Sequence, residues 1–227
     1  MSTREDPTLL ITELEPSSQS ASHRAAVVRA LTERRRTLDR ALARLALDAG
    51  GLAEVAARLV ETLERDNKVL VAGNGGSAAE AQHFAAELVG RFKRERVAYP
   101  VLALTTDTAI LTAVANDYGY ADVFARQVRA FGQPGDLFLG FSTSGESENL
   151  VRALVAARER GMASAAITGE RASRMQRLAD VTVRVPLTDT ATVQELHMMA
   201  THILCEIVET TLAARAPLTT REGVSIQ

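Results

Sequence analysis

Five short apolar runs, KVLVAG (68–73), PVLAL (100–104), DLFLGFS (136–142), ASAAITG (163–169) and DVTVRV (180–185), alternate with stretches of helical periodicity. Strand, helix and strand repeated in this way read as parallel βαβ units. Most of the runs are continuously apolar, as strands covered on both faces must be. The expected fold class is therefore α/β: a doubly wound, Rossmann-like three-layer α/β/α sandwich with a five-stranded parallel sheet. At 227 residues the chain suits one such domain with extra helices better than two independent domains.

The helical extras are legible at both ends. Residues 1–22 close on the polar stretch SSQSAS and read as a tail. From Ser22, Val27, Val28, Leu31, Leu38, Leu42, Leu45 and Leu47 recur at helical spacing among arginines, and a second helix is expected over about Leu52–Arg65. The segment after Pro186 is a long helical pattern with Thr188 and Asp189 as candidate N-caps. The expected division is a tail over 1–22, a single domain with an N-terminal helical extension over 23–215, and a C-terminal tail over 216–227.

A net charge of −2 and no sustained run of Lys or Arg argue against a surface that neutralises a nucleic-acid backbone. No apolar run reaches the length of a membrane span, and the first residues read as neither signal peptide nor anchor. The single cysteine, Cys205, forms no intramolecular disulfide and fits a reducing, cytoplasmic setting. Flanked by Ile203, Leu204, Ile207 and Val208, it reads as a small buried residue rather than a nucleophile.

In an open parallel sheet, ligands bind beyond the carboxyl ends of the strands. The loop after the first run is Asn74-Gly75-Gly76-Ser77, and Ser77 with Glu80 has the spacing of a capping box, so a helix N-terminus could face an anion there. The loop after the third run is Ser142-Thr143-Ser144-Gly145-Glu146-Ser147. Its hydroxyls around a glycine can donate to a phosphate monoester without a lysine, although an ordinary Ser/Thr cap and turn would look the same. Neither loop has the glycine spacing or the lysine of a nucleotide-binding loop. His83 and Glu87 share one helical face one turn apart and can hold a divalent ion or form a simple surface pair. His23 and His197 lack such a setting and are expected at the surface or the core edge. The arginine-rich face (Arg34, Arg35, Arg36, Arg40, Arg44) reads as solvated or interfacial.

Four segments, AGNGGSAAEAQHFAAELVGRF (72–92), ANDYGY (115–120), FSTSGESENL (141–150) and VQELHMMATHILCEIVE (193–209), together resemble the phosphoheptose isomerases of the sugar isomerase (SIS) family. The similarity runs in matching order from about residue 25 to 212. It implies that Ser142, Thr143, Ser144 and Ser147 hold a sugar phosphate, and that Asn74, Gly75, Gly76, Asn116, Asp117, Glu87 and Gln194 line the rest of the substrate site. It also implies one zinc per subunit on His83, Glu87, Gln194 and His202, with Glu87 as catalytic base and His202 as its acid partner. The implied reaction converts sedoheptulose 7-phosphate to D-glycero-D-manno-heptose 7-phosphate in a homotetramer with active sites at subunit boundaries. One departure is the loop TTDTAILTAVANDYGY, where some members carry a histidine after an Asp-x-Ser turn; it bears on the surroundings of Asp107.

An aldose–ketose interconversion through an enediol needs a base between C1 and C2 and a proton carrier between O1 and O2, which a carboxylate and an imidazole supply. Geometry constrains the ligand set. Gln194 and His202 are eight residues apart, a rise of about 12 Å on a straight helix, whereas metal bonds are about 2 Å. They are expected to come from different subunits, or the helix to be interrupted between them. The competing reading is a non-catalytic SIS protein that binds a phosphosugar or a replication-initiator partner; His202 argues against it. A sugar-phosphate sensor is a third, but the tails hold no DNA-reading module.

Overall fold

The structure is a computed structural model that describes residues 18–215. The two tail assignments otherwise lie outside the described residues, but α1 (Ser18–Leu47) begins four residues ahead of Ser22. Residues 18–39 form a helical unit of their own. On it Val27, Val28 and Leu31 are exposed, as is His23.

From Arg40 onward the chain builds one α/β unit. After the end of α1 come α2 (Gly50–Glu64), β1 (Val69–Gly73), α3 (Gly76–Val89), β2 (Val101–Ala103), α4 (Thr108–Tyr118) and α5 (Val123–Phe131). They are followed by β3 (Leu137–Ser142), α6 (Glu148–Glu159), β4 (Ala163–Thr168), α7 (Arg174–Leu178), β5 (Val181–Arg184) and α8 (Thr190–Arg215). All five strands are parallel in the order β2-β1-β3-β4-β5.

Each apolar run is covered twice, which is why it does not alternate in polarity. Val69 and Val71 of β1 join a core with α2, α3 and α8, while Leu70 and Ala72 join a second core with α5 and α6 on the other face. Phe84 of α3 is fully buried with its ring 6.4 Å from that of Phe141; replacing it by alanine would cost about 3–5 kcal/mol. The second core is closed by Ala125, Ala153, Ala156 and Ala157, small residues that bring α5 and α6 together.

Local signals fix the helix starts. Asp107 accepts from the Ile110 N–H at 2.9 Å to cap α4, and Asp189 accepts from the Thr192 N–H at 3.1 Å to cap α8. At the amino ends of the central strands, Asp136 accepts from the Lys68 ammonium at 2.6 Å, from the Lys68 N–H at 2.9 Å and from the Gln133 N–H at 2.8 Å. The strand order reverses direction between β1 and β3, where Gly73 lies level with Phe141. That is the switch point at which an open sheet leaves a crevice beyond its carboxyl ends. Both unusual loops leave the sheet there.

Candidate active site

The loop after β1 turns at once into α3. Gly75 takes φ +56°, a backbone conformation that favours glycine, and is the residue before the helix. The helix starts at Gly76, so Ser77 lies inside it, and the capping box with Glu80 does not form; both side chains are buried. Asn74 exchanges amide hydrogen bonds with Asn149, donating at 3.0 Å and accepting at 2.8 Å. The Asn74 carbonyl oxygen also accepts from the Tyr120 hydroxyl at 2.9 Å. Sequence reasoning assigned Asn74 but missed Asn149 and Tyr120, although both lie in segments that carry the family resemblance.

The loop after β3 gathers its hydroxyls. The Ser142 oxygen accepts from the Gly145 N–H at 3.0 Å and lies 3.4 Å from the hydroxyls of both Ser144 and Ser147. Ser144 accepts from the Glu146 N–H at 3.2 Å. Gly145 has φ +67°, and a Cβ there would come within 2.3 Å of the Ser173 hydroxyl, so this turn needs glycine. Ser147 is the N-cap of α6 but makes no side-chain capping bond. Thr143 and Ser144 line a cavity of about 240 Å³ shared with Arg171 and Thr188. Hydroxyls, a glycine turn and an uncapped helix start together suit a phosphate monoester. Asn116 and Asp117 lie exposed at the end of α4, joined by a 2.8 Å bond from the Asn116 amide to the Asp117 carboxylate.

The third group stands on α3 and α8. His83 Nε2 lies 2.9 Å from His202 Nε2 and 3.4 Å from Glu87 Oε1. One ligand atom from each of these three residues falls within 4.8 Å of the others. Two nitrogens bound tetrahedrally to one ion stand about 3.3 Å apart, so the cluster fits a divalent cation that takes nitrogen and oxygen donors. The ring of Phe92 stacks on His202 at 5.6 Å and 28°. Gln194 lines a cavity together with His83 and Gly76. α8 is continuous from Thr190 to Arg215, which removes the expectation of an interruption. Gln194 lies where its amide would meet a Cβ placed on Gly76, seven residues before His83 on α3.

His197 is neither at the surface nor at the core edge. It is fully buried, 3.5 Å from Glu80 Oε2, and neither ring nitrogen has a hydrogen-bond partner. Its position between helices that pack against each other explains the burial, which a lone histidine in an amphipathic pattern does not reveal. Cys205 is buried as expected, and burial, with the negative charge of Glu87 next, pushes its thiol up to about 12.

The doubly wound sheet and the hydroxyl loop at its switch point define a sugar isomerase (SIS) domain, and the SIS domain family model matches residues 32–169. A phosphoheptose isomerase from Roseiflexus is 54% identical over 158 residues, spanning 70% of this chain and 80% of that protein. The solved phosphoheptose isomerase of Neisseria gonorrhoeae superposes with a TM-score of 0.75 at 39% identity, over 82% of this chain and 98% of the other. That of Francisella tularensis gives 0.72 at 36% identity, over 80% and 98%. The chain belongs to the phosphoheptose isomerase family and is an isomerase.

Proposed function

We propose that this protein interconverts sedoheptulose 7-phosphate and D-glycero-D-manno-heptose 7-phosphate through an enediol. The observation that carries the reading is the convergence of His83, Glu87 and His202 in one three-residue cluster on a fold whose switch point holds a hydroxyl-lined loop. Ser142, Thr143, Ser144 and Ser147 bind the phosphate, with Asn74, Gly75, Gly76, Asn116 and Asp117 along the sugar. Capture of the phosphate end positions the distant C1–C2 end. Glu87 takes a proton from C1 and returns it to C2, while His202 carries the proton between O1 and O2. A carboxylate has two oxygens, so Glu87 can serve as a metal ligand and still face C1. His83, Glu87, His202 and a Gln194 amide would hold one zinc, which when bound polarises the substrate carbonyl.

Gln194 lies against Gly76 and about 12 Å along the continuous helix from His202 of its own chain, which supports taking the amide beside His202 from another copy. Each active site then joins the Gly75-Gly76 loop of one subunit to the acid–base cluster of another. The exposed face of α8 suits such packing: Met199, Ile203 and Ile207, at four-residue spacing, are 38%, 40% and 39% exposed. We assign the protein to a homotetramer in the cytoplasm, built from one domain whose N-terminal helical extension is α1, starting at Ser18. Among the described residues, no helix is long and apolar enough to cross a membrane. A complementation assay tests the shared site. Gln194→Ala and His202→Asn, each inactive alone, should regain turnover when their subunits are mixed and reassembled. Mixtures as inactive as either parent would place both residues in one subunit's site and contradict the proposal.

A further inference from the structure

The segment between α3 and β2 has no regular structure over residues 90–100 beyond bends, yet a single carboxylate organises it. Glu209, with a side chain 2% exposed, accepts from the N–H groups of Phe92 at 3.0 Å, Lys93 at 2.8 Å and Arg94 at 3.0 Å. It also accepts from Nε of Arg96 at 3.2 Å, and that side chain is 3% exposed. Arg96 in turn donates to the main-chain oxygens that end α3: Glu87 at 2.8 Å, Leu88 at 2.8 Å and Gly90 at 3.2 Å. Its guanidinium lies 4.2 Å over the ring of Tyr99.

This network closes on the acid–base cluster from both sides. The Glu87 carbonyl is bonded to Arg96, Arg96 to Glu209, and Glu209 stands two turns beyond His202 on α8. Phe92 donates its N–H to Glu209 and lays its ring on His202. Burying an ion pair carries a desolvation cost that apolar packing avoids, so such a pair is weak evidence for a role in stability alone. We propose that the Arg96–Glu209 pair, with Phe92, is a positioning clasp that sets the spacing and orientation of Glu87 on α3 against His202 on α8, and through it the affinity of the cluster for its metal ion. The inference rests on the metal-assisted reading given above.

The test is zinc affinity of the folded, full-length protein, measured by competition with a chromophoric chelator and compared with thermal stability. Glu209→Gln keeps the shape but turns an –NH2 toward backbone N–H donors. Phe92→Leu leaves the ion pair intact and removes only the ring over His202, so it tests the clasp even where Glu209→Gln fails to fold. Asp136→Asn disrupts a buried pair at the opposite ends of the strands and reports simple destabilisation. Both clasp variants should bind zinc about 10- to 100-fold more weakly, the range for outer-shell partners of metal ligands. They should also lose kcat with the KM for sedoheptulose 7-phosphate unchanged, while Asp136→Asn melts earlier with wild-type zinc affinity. Clasp variants that melt early but bind zinc as the wild type does would overturn the inference. Failure of the metal reading looks different: wild-type zinc affinity would then be indifferent to His83→Ala, and the clasp's role at the metal would fall with it.

Discussion

Gly73 is the position at which one added carbon should separate the sheet from its active-site helix. A Cβ built on Gly73 comes within 2.2 Å of the Ser77 carbonyl oxygen and 2.5 Å of its carbon, whereas ordinary contact begins at 3.4 Å. The obstacle is helix backbone, so Gly73→Ala must displace the first turn of α3 by about 1 Å in a close-packed interior. Overpacking of this kind costs about 1–3 kcal/mol, and a rigid obstacle belongs at the upper end. In a domain of this size that lowers Tm by about 6–12 °C at fixed protein concentration. The displaced helix also carries Asn74 at its entry and His83 and Glu87 on its face, and a 1 Å misplacement of reacting groups costs about 100-fold in rate. Gly140→Ala on the neighbouring strand is the control. Its Cβ would come within 2.9 Å of the terminal methyl of Met175, a flexible side-chain end that can move aside, and would otherwise meet the Phe138 ring at 3.4 Å, an ordinary contact. Differential scanning fluorimetry and steady-state kinetics on both variants decide the matter. Gly73→Ala with wild-type Tm and kcat/KM would refute the reasoning that β1 and α3 are locked together at this residue.

Further expectations can be checked separately. Burial opposes the charge on Glu209, but the N–H donors of Lys93 and Phe92, the Arg96 guanidinium and the Arg94 N–H outweigh it and hold the carboxyl below its ordinary value of 4.5. Its contribution to stability is therefore complete above pH 4.5 and is lost as pH falls below that value through the folded-state pKa; urea midpoints against pH should show this acid loss in the wild type and a flatter course in Glu209→Gln. Ser147→Ala removes one hydroxyl from the phosphate loop, and losing a hydrogen bond to a charged group, at about 1.5–3 kcal/mol, should raise KM by about tenfold or more with kcat kept. Cys205, its thiol pushed up to about 12, should stay unmodified by alkylating reagents near neutral pH until urea unfolds the chain.

The sheet was legible because runs such as KVLVAG and DLFLGFS are apolar on both faces, and the crevice followed from the strand ends. Asp189 announced the start of α8, but the Ser77 and Glu80 spacing misled, because Gly75 lets the helix begin two residues earlier and turns both side chains inward. His83 and Glu87 were readable as neighbours one turn apart. Their union with His202 needed the packing of α3 on α8, which no local pattern encodes. His197 looked ordinary because burial is a property of the assembled helices. The Arg96–Glu209 pair spans 113 positions and lies partly in a loop without periodicity, so the sequence carried no local sign of it.

The central claim is that this chain is a phosphoheptose isomerase whose Glu87 and His202 move the protons. Turnover of sedoheptulose 7-phosphate by the zinc-loaded protein, run beside Glu87→Gln and His202→Asn at matched oligomeric state, tests it most directly. The account predicts formation of D-glycero-D-manno-heptose 7-phosphate by the wild type and its abolition in both variants. A folded, zinc-loaded wild type without turnover, or variants that retain it, would contradict the account.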